Sequence, residues 1–329
     1  MTPRGRYGRV QRPTDAGGHP SPPAGERLGG AREGRPVTIL ITGGTGFIGS
    51  RLAARLALEG KPARVAARGV RSSSLPDGVE AVTADVVSGN GLEHALQGVE
   101  RVAHLVAIIV ERGPLTFDAV IRGGSERLVE AARAAGVRKI VYVSAIGADP
   151  DPRFPYWAAK WGAEQAIIGS GLTYTILRPS IVFGPGDDFF NRLAGLVRWN
   201  PVVPIAGDGK TRFQPIWVED LVTCIIACLE EGAHDGQVIE VGGPEHLTYE
   251  EMLDTVRREL GARRLKIHVP LPLVRLVAGA MEALLPRPLV TRQQLAMLAK
   301  DNAAESDGVL RHFGFTPKRL SEGLGYIRR

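Results

Sequence analysis

The stretch VTILITGGTGFIG, residues 37–49, decides the fold of this chain. Its first six residues form an apolar run, which is typical of a buried parallel strand. Gly43 would permit a tight turn, Gly46 a close approach of the backbone to a pyrophosphate, and Gly49 close packing of helix on strand. The stretch therefore predicts a phosphate-binding turn at a helix N-terminus, where free N–H groups and the helix dipole attract anions.

Apolar runs and helical stretches alternate along residues 37–178. The expected strands are 37–42, 63–67, 79–84, 99–107, 138–144 and 173–178, and the expected helices are 46–59, 91–97, 116–135 and 155–169. Such alternation predicts the α/β class, with a doubly wound parallel sheet of the Rossmann type. Residues 37–180 would form this nucleotide-binding domain, with later elements near 212–243.

The rhythm loosens beyond residue 180, and residues 181–329 are expected to form a smaller C-terminal lobe, partly interleaved with the sheet. A strand is expected at 237–241 and a helix at 188–199. A capping-box pattern that begins at Thr248 predicts another helix, which ends near Leu260.

One apolar, proline-bounded segment of this lobe, residues 270–285, has two interpretations. It packs as a core helix, which we favour, or it presents an apolar face to a membrane with cations at the headgroups. That face would consist of Leu273, Val277, Ala280 and Leu284, and the cations would be Arg263, Arg264, Lys266 and Arg287.

The composition is that of an ordinary folded protein, and part of the charge is local. The 329 residues carry a formal charge of +6, with 44% hydrophobic and 23% charged residues. Residues 1–36 hold seven arginines against three acids and are expected to be a disordered basic tail, with no nucleic-acid partner.

Cys224 and Cys228 are expected to face the core, so no metal site is predicted. Few cysteines and no apolar run of about 18 residues favour a cytoplasmic protein.

The end of the second strand distinguishes between nicotinamide nucleotides. NAD sites usually place an acid here, which holds the ribose 2′-hydroxyl. This strand instead ends in Arg68, with Arg71 close behind and no acid. A guanidinium can pair with a 2′-phosphate and stack on adenine. The sequence therefore predicts NADP(H) as the cofactor.

The glycine spacing, G-x-x-G-x-x-G, resembles that of the short-chain dehydrogenase/reductase superfamily, and TGGTGFIG at 42–49 looks like its extended and atypical branches. The resemblance runs from about residue 37 to at least residue 243. It implies that Asp85 lies near the adenine amino group and that Ala107 lies on the nicotinamide side. The full set of implied cofactor contacts is Gly43, Thr45, Gly46, Phe47, Ile48, Gly49, Arg68, Asp85, Val86, Ala107, Tyr156 and Lys160.

Tyr156 and Lys160 match the superfamily's Tyr-x-x-x-Lys motif. Residues i and i+4 share one face of a helix. The resemblance implies that the lysine ammonium holds the nicotinamide ribose and lowers the pKa of the phenol. Tyr156 would then exchange a proton with a carbonyl or an alcohol while hydride moves to or from the nicotinamide.

The third member of the catalytic motif departs from the family pattern. Active relatives place a hydroxyl just after the fifth strand, where this chain offers only Ser144. In extended members the working hydroxyl comes one or two positions later, which is Ala145 or Ile146 here. Losing such a donor typically costs a few kcal/mol of transition-state stabilisation. An active enzyme and a non-catalytic protein are therefore both compatible with the sequence.

Three further stretches narrow the resemblance: HLVAII at 104–109, VSAIGAD at 143–149 and LRPSIVFGPGDDFFN at 177–191. Together they look like the branch that contains the NADPH-binding accessory subunit of respiratory complex I and its bacterial homologues. The branch implies either an oxidoreductase acting on an apolar carbonyl or quinone-like compound, or a non-catalytic accessory or redox-sensing protein of a respiratory assembly. It also implies peripheral contact with the inner membrane face or with a respiratory complex. A sugar-nucleotide epimerase is a less favoured third hypothesis.

Three aromatic residues beyond the sheet, Phe189, Phe190 and Trp217, have two interpretations. They line an apolar substrate pocket, or they pack in the core of the small lobe, which we favour.

Overall fold

The computed structural model describes residues 38–232, 234–284, 292–297 and 300–328. The tail expected at residues 1–36 lies outside the described residues. The strands are β1 (Thr38–Thr42), β2 (Ala63–Ala67), β3 (Val79–Thr83), β4 (Val99–His104), β5 (Lys139–Val143), β6 (Thr173–Pro179), β7 (Val182–Phe183), β8 (Val202–Ala206), β9 (Arg212–Phe213), β10 (Ile216–Trp217), β11 (Gln237–Val241), β12 (Leu247–Thr248) and β13 (Leu265–Val269). The helices are α1 (Phe47–Leu58), α2 (Leu92–Leu96), α3 (Gly123–Ala134), α4 (Pro155–Ile168), α5 (Phe189–Trp199), α6 (Val218–Leu229), α7 (Tyr249–Glu259), α8 (Leu271–Leu284), α9 (Arg292–Met297), α10 (Gly308–Phe313) and α11 (Leu320–Gly323).

Seven parallel strands form the main sheet, in the order β3-β2-β1-β4-β5-β6-β11. The strand order changes direction between β1 and β4, and ligands bind outside the carboxyl ends of the strands at such a switch point. The predicted doubly wound α/β sheet is confirmed. Its edge strand β11 comes from beyond residue 180, so elements of the later sequence complete the sheet.

Apolar side chains cover both faces of the sheet because its strands are runs of valine, isoleucine and leucine. On one face α1 and α6 pack through Leu52 and Ile225, which are fully buried. On the other face α3 and α4 pack through Leu128 and Ala163. The helix expected at 116–135 begins with a π-helical turn, Asp118–Arg122, and continues as α3.

The small lobe has an apolar cluster of its own, in which α5 packs on α7. Phe190 is fully buried, and Phe189 and Trp217 are partly buried against the same cluster. The ring of Phe183 contacts Phe190 and Trp217 at centroid distances of 5.9 and 5.2 Å. This packing agrees with the interpretation of these aromatic residues as part of the lobe's core.

The helix predicted from the capping-box pattern is α7. The Thr248 hydroxyl accepts a hydrogen bond from the backbone N–H of Glu251 at 3.2 Å. The Glu251 carboxylate accepts one from the backbone N–H of Thr248 at 2.7 Å. These reciprocal bonds satisfy two donors that a helix N-terminus would otherwise leave unpaired.

The apolar segment after β13 is the helix α8, and it is largely exposed. Leu273, Leu276, Val277 and Leu284 are each exposed by at least half, whereas Ala278 is fully buried. The favoured interpretation of this segment as a core helix is therefore wrong for most of α8, because most of its apolar side chains are exposed. Among the described residues, no helix combines the length and the apolar character needed to cross a membrane.

Candidate nucleotide-binding and active site

Two glycines of the turn after β1 stand where a side chain would not fit. Gly43 has φ +75°, and a Cβ there would lie 3.1 Å from the backbone of Leu105 and Val106, which follow β4. A Cβ on Gly49 would lie 2.3 Å from the Gly43 carbonyl oxygen. The first glycine thus permits the left-handed turn, and the third lets α1 begin directly against it.

The N-terminus of α1 is open towards solvent. Gly46 is the N-cap residue, and no side chain caps the first turn. Thr45 and Gly46 are exposed, and Phe47 and Ile48 are half-buried. The first backbone N–H groups of a helix have no partner within it, and they carry the positive end of the helix dipole. The turn therefore fits a pyrophosphate.

The carboxyl end of β2 presents cations without partners. Arg68 and Arg71 are both exposed, and neither guanidinium has an ion pair or hydrogen bond within the described part of the chain. The first acid after β2 is Asp77, ten residues beyond the strand's last residue, Ala67. This strand end therefore carries two exposed cations and no nearby acid.

The loop after β3 holds the residues implied at the adenine side. The Asp85 carboxylate accepts hydrogen bonds from the Val87 backbone N–H at 2.9 Å and from the Ser88 hydroxyl at 3.2 Å. Val86 is buried, and its carbonyl accepts from Arg127 Nε at 3.0 Å. The structure therefore fixes this loop from within and from α3. Ala107, after β4, is exposed.

A buried polar chain that sequence reasoning missed lies at the ends of β1 and β4. Ser125 Oγ donates to the Ile121 carbonyl at 2.6 Å, so its oxygen must accept from His104 Nε2 at 2.9 Å. His104 Nδ1 then accepts from the Thr42 hydroxyl at 2.7 Å. Burial, and secondarily the charge of Lys160, lowers the pKa of His104 to about 3, so the imidazole is neutral. The only sequence signal was a polar residue at the end of each apolar strand.

This chain and the helix α4 meet at one edge of the sheet. Thr42, His104 and Tyr142 are paired in register across β1, β4 and β5. The next residue along β5 is Val143, whose carbonyl accepts a hydrogen bond from Lys160 Nζ at 2.7 Å. The glycine turn, which follows Thr42, and the catalytic candidate Lys160 therefore lie at the same carboxyl edge.

Lys160 is buried and has no carboxylate partner in the part of the chain that the structure describes. Its side chain is 2% exposed, and Nζ lies 4.9 Å from the centroid of the Tyr142 ring. Burial lowers the pKa of Lys160 from 10.5 to about 7, against a smaller opposing effect of Glu164. Glu164 is itself neutralised by Arg178, which donates two hydrogen bonds to its carboxylate at 2.9 and 2.6 Å.

Tyr156 lies one turn before Lys160 on the same face of α4. Its ring meets Phe117 edge-on at a centroid distance of 5.5 Å, and burial raises the pKa of the phenol to about 12. The Phe117 backbone N–H donates to the Glu111 carboxylate at 2.8 Å, which fixes the loop beneath the ring. The pKa of the phenol is thus raised, whereas the family resemblance implied that Lys160 lowers it, so at neutral pH the tyrosine is a protonated hydrogen-bond donor.

Ser144 follows Val143, whose carbonyl accepts from Lys160, but the Ser144 hydroxyl makes no hydrogen bond among the described residues. The side chain is 3% exposed, and Oγ is buried with no hydrogen-bond partner there. Ala145 and Ile146 follow it without a hydroxyl. The glycine turn, Tyr156, Lys160 and Ser144 therefore lie at the same carboxyl edge of the sheet, and neither position after Ser144 carries a hydroxyl.

The fold and this edge define an NAD(P)-binding protein of the Rossmann type. The profile of the NAD dependent epimerase/dehydratase family matches residues 39–242, which is more than half of the chain. The chain therefore belongs to the NAD dependent epimerase/dehydratase family, an extended branch of the short-chain dehydrogenases, as its glycine spacing predicted.

Similar proteins include reductases and a respiratory subunit. The chain is 31% identical to ceramide reductase from Caulobacter vibrioides, over 74% of this chain and 76% of that protein. It is 25% identical to the mitochondrial NADH dehydrogenase [ubiquinone] 1 alpha subcomplex subunit 9 of Arabidopsis thaliana, over 85% of this chain and 72% of that protein. A UDP-glucuronic acid 4-epimerase from Bacillus cereus, solved with UDP-glucuronic acid and NAD, has a TM-score of 0.69 at 21% identity and covers 89% of this chain and 98% of that one. The resemblance to the complex I branch is confirmed, and the solved structure shows the shared fold.

Proposed function

We propose that this protein is an NADP(H)-dependent oxidoreductase that reduces the carbonyl group of an apolar molecule, either a ketone or a quinone-like compound. The single observation that carries the proposal is the placement of Tyr156 and Lys160 on one face of α4, beside the end of β5 and the glycine turn. Burial keeps the phenol protonated, because it raises the pKa of Tyr156 to about 12. A protonated donor at this edge suits reduction of a carbonyl.

NADP(H) is the proposed form of the cofactor because of the charges at the end of β2. Arg68 and Arg71 are exposed and without partners among the described residues, and no acid precedes Asp77 there. A guanidinium forms charge-assisted hydrogen bonds to a phosphate, whereas it gains little from a neutral ribose hydroxyl. The glycine turn and the open N-terminus of α1 would hold the pyrophosphate.

The residues of the chain would supply the proton and hold the reactants in position. When bound, the reduced nicotinamide supplies a hydride to the carbonyl carbon. Tyr156 Oη gives its proton to the carbonyl oxygen, so the carbonyl gains one C–H and one O–H bond and leaves as an alcohol. Lys160, which carries its charge below a pKa of about 7, stabilises the phenolate until water reprotonates it.

The name of one relative supports an apolar substrate. The Caulobacter relative is named a ceramide reductase, and ceramide is a lipid. Reduction of a lipid-like carbonyl by this chain is our extension of that name.

Turnover measurements on two tyrosine variants test the proposal. The wild type is incubated with NADPH and a panel of long-chain ketones and short-chain quinones, and NADPH consumption is followed. Tyr156→Phe should abolish turnover and spare NADPH binding, while Lys160→Ala weakens both. Tyr174→Phe is the matched control, because Tyr174 lies at the opposite, amino end of β6. Full activity in Tyr156→Phe would remove the tyrosine from the mechanism.

We propose a second candidate function, that of a non-catalytic accessory or redox-sensing protein with NADP(H) as a structural ligand. Two observations support it: the Ser144 hydroxyl has no partner among the described residues, and Ala145 and Ile146 carry no hydroxyl. The Arabidopsis relative is named as a subunit of NADH dehydrogenase, and the same role in a respiratory or quinone-related assembly would suit this chain. NADPH that survives purification in native mass spectrometry, with no turnover on any panel member, would favour this function.

We also propose that the small lobe contacts an anionic membrane surface from the cytoplasmic side. Its exposed apolar side chains include Trp199, Leu265, Ile267, Leu273, Leu276, Val277 and Leu284. Residues 260–281 contain no acid. Of the cations expected at the headgroups, Arg263 lacks an ion-pair partner among the described residues, whereas Lys266 pairs with Glu250 and Asp254. Arg264 donates to two backbone carbonyls, Arg287 lies outside the described residues, and Arg275 adds a second cation without an ion pair in the described part of the chain. An apolar face with unpaired cations is typical of peripheral binding to anionic lipid.

Vesicle flotation tests the membrane proposal. The protein should float with anionic vesicles at low salt, less at high salt, and not with neutral vesicles, because salt screens the contribution of the cations. Leu276→Glu should reduce flotation, whereas Leu58→Glu, which changes an exposed leucine of α1, should not. Equal flotation of wild type and Leu276→Glu would contradict the proposal.

A further inference from the structure

A short segment, Lys300–Ala304, crosses the carboxyl edge of β5 and β6, and we call it the strap. The Asn302 backbone N–H donates to the Arg212 carbonyl at 2.8 Å. The Ala304 backbone N–H donates to Gln214 Oε1 at 2.8 Å. These bonds join the strap to the chain beside β9, so it is a fixed part of this edge.

The strap lies next to the catalytic candidates. The Lys300 ammonium lies 5.1 Å from the Trp157 ring centroid and 5.7 Å from that of Phe154, and these residues flank Tyr156 in sequence. Asn302 Nδ2 donates to the Ile146 carbonyl at 3.3 Å. The amide of Asn302 therefore contacts the backbone of the segment in which the family pattern would put a substrate-binding hydroxyl.

The orientation of the Asn302 amide follows from its neighbours. Ser180 Oγ accepts from the Gln214 backbone N–H at 3.1 Å, so its one hydrogen points to Asn302, whose backbone O and Oδ1 both lie 2.7 Å away. The Ile146 carbonyl can only accept a hydrogen bond, so the nitrogen of the amide faces Ile146 and its oxygen faces Ser180. One N–H faces the Ile146 carbonyl, and the other has no partner within the described ranges. Asn302 is partly exposed.

We propose that Asn302 donates this second N–H to the carbonyl oxygen of the substrate, in place of the hydroxyl that Ala145 and Ile146 lack. The inference rests on the proposed oxidoreductase function. The oxygen would accept the proton of Tyr156 and a hydrogen bond from Asn302. A donor held in place before the reaction stabilises charge that develops on an oxygen without having to reorganise. The strap and Ser180 supply that fixed position.

A rescue experiment distinguishes a donor from a structural residue. Asn302→Ala should lower kcat by about 100-fold, the typical effect of removing one such donor, with NADPH affinity unchanged. Ala145→Ser introduced into Asn302→Ala restores a hydroxyl at the family position and should recover at least about tenfold of that loss. Glu305→Ala is the control, because it removes an exposed ion pair with Arg311 at 2.7 Å, just beyond the strap, and leaves the amide in place. It should turn over at close to the wild-type rate.

The possible results distinguish a failure of this inference from a failure of the proposed function. Wild-type turnover in Asn302→Ala would overturn the inference and leave the proposed function standing. A loss in Asn302→Ala that Ala145→Ser does not recover would overturn it too, because Asn302 would then act only as a structural element of the strap. A wild type that binds NADPH and reduces no panel member overturns the proposed function itself, before any variant is made.

Discussion

Replacing Lys160 with methionine should stabilise the folded protein while weakening nucleotide binding. Burial lowers the pKa of Lys160 from 10.5 to about 7, which corresponds to about 5 kcal/mol against the charged form at about 1.4 kcal/mol per pKa unit. Methionine cannot donate to the Val143 carbonyl as Nζ does, and a buried carbonyl left without its donor costs about 1–3 kcal/mol. The difference leaves an expected gain of about 2 kcal/mol at about pH 6.

The sign of the pH dependence follows from the lowered pKa. Below about pH 7 the lysine is protonated in the folded and unfolded states, so the whole penalty is present. Between about 7 and 10.5 the unfolded chain keeps a proton that the folded protein has released, so wild-type stability rises with pH relative to the variant. The advantage of Lys160→Met should therefore shrink from about pH 6 to about pH 10.

Urea unfolding at these two pH values, with NADPH titration, measures both effects. Lys139→Met is the matched control, because Lys139 is also fully buried but pairs with Asp235 and the Glu230 carbonyl. That variant should be destabilised, since it leaves a carboxylate and a carbonyl without their partner. A Lys160→Met protein that is less stable than wild type at both pH values would refute the reasoning.

Three further variants test the site. Gly49→Ala should lose about 1–3 kcal/mol of stability and its NADPH affinity, because its Cβ would lie 2.3 Å from the Gly43 oxygen. Gly195→Ala, whose Cβ meets nothing within 4 Å, is the control in a thermal melt, and equal melting temperatures would contradict the steric argument. Ser144→Ala should gain about 1 kcal/mol by removing a buried unpartnered hydroxyl, and a loss would show that this hydroxyl has a partner. Arg68→Asp should reverse or erase a preference for NADPH over NADH in fluorescence titrations, and an unchanged ratio would reject the role of Arg68.

Much of the sheet could be predicted because strands and turns are local in sequence. The bounds of β2 and β11 agree with the apolar runs, and the glycine spacing alone gave the turn before α1. The exposure of α8 could not be predicted in this way. Apolar composition shows that a segment can be buried, but whether another element covers it depends on how the lobe closes.

The candidate site, too, could be predicted from the sequence only in part. The motif of Tyr156 and Lys160 could be found from its spacing, because i and i+4 share a helix face. The contact of His104 with Ser125 and that of Asn302 with Ile146 join residues 21 and 156 positions apart. No local pattern marks such pairs, so only the assembled sheet edge reveals them.

Transfer of an isotope label tests the central claim most directly. NADPH carrying deuterium at the transferable C4 position is mixed with the protein and an apolar ketone, and the products are analysed by mass spectrometry. We expect an alcohol with one deuterium on its carbinol carbon, which forms with wild type and Tyr174→Phe and not with Tyr156→Phe. Unchanged ketone in the presence of protein-bound NADPH would contradict the account.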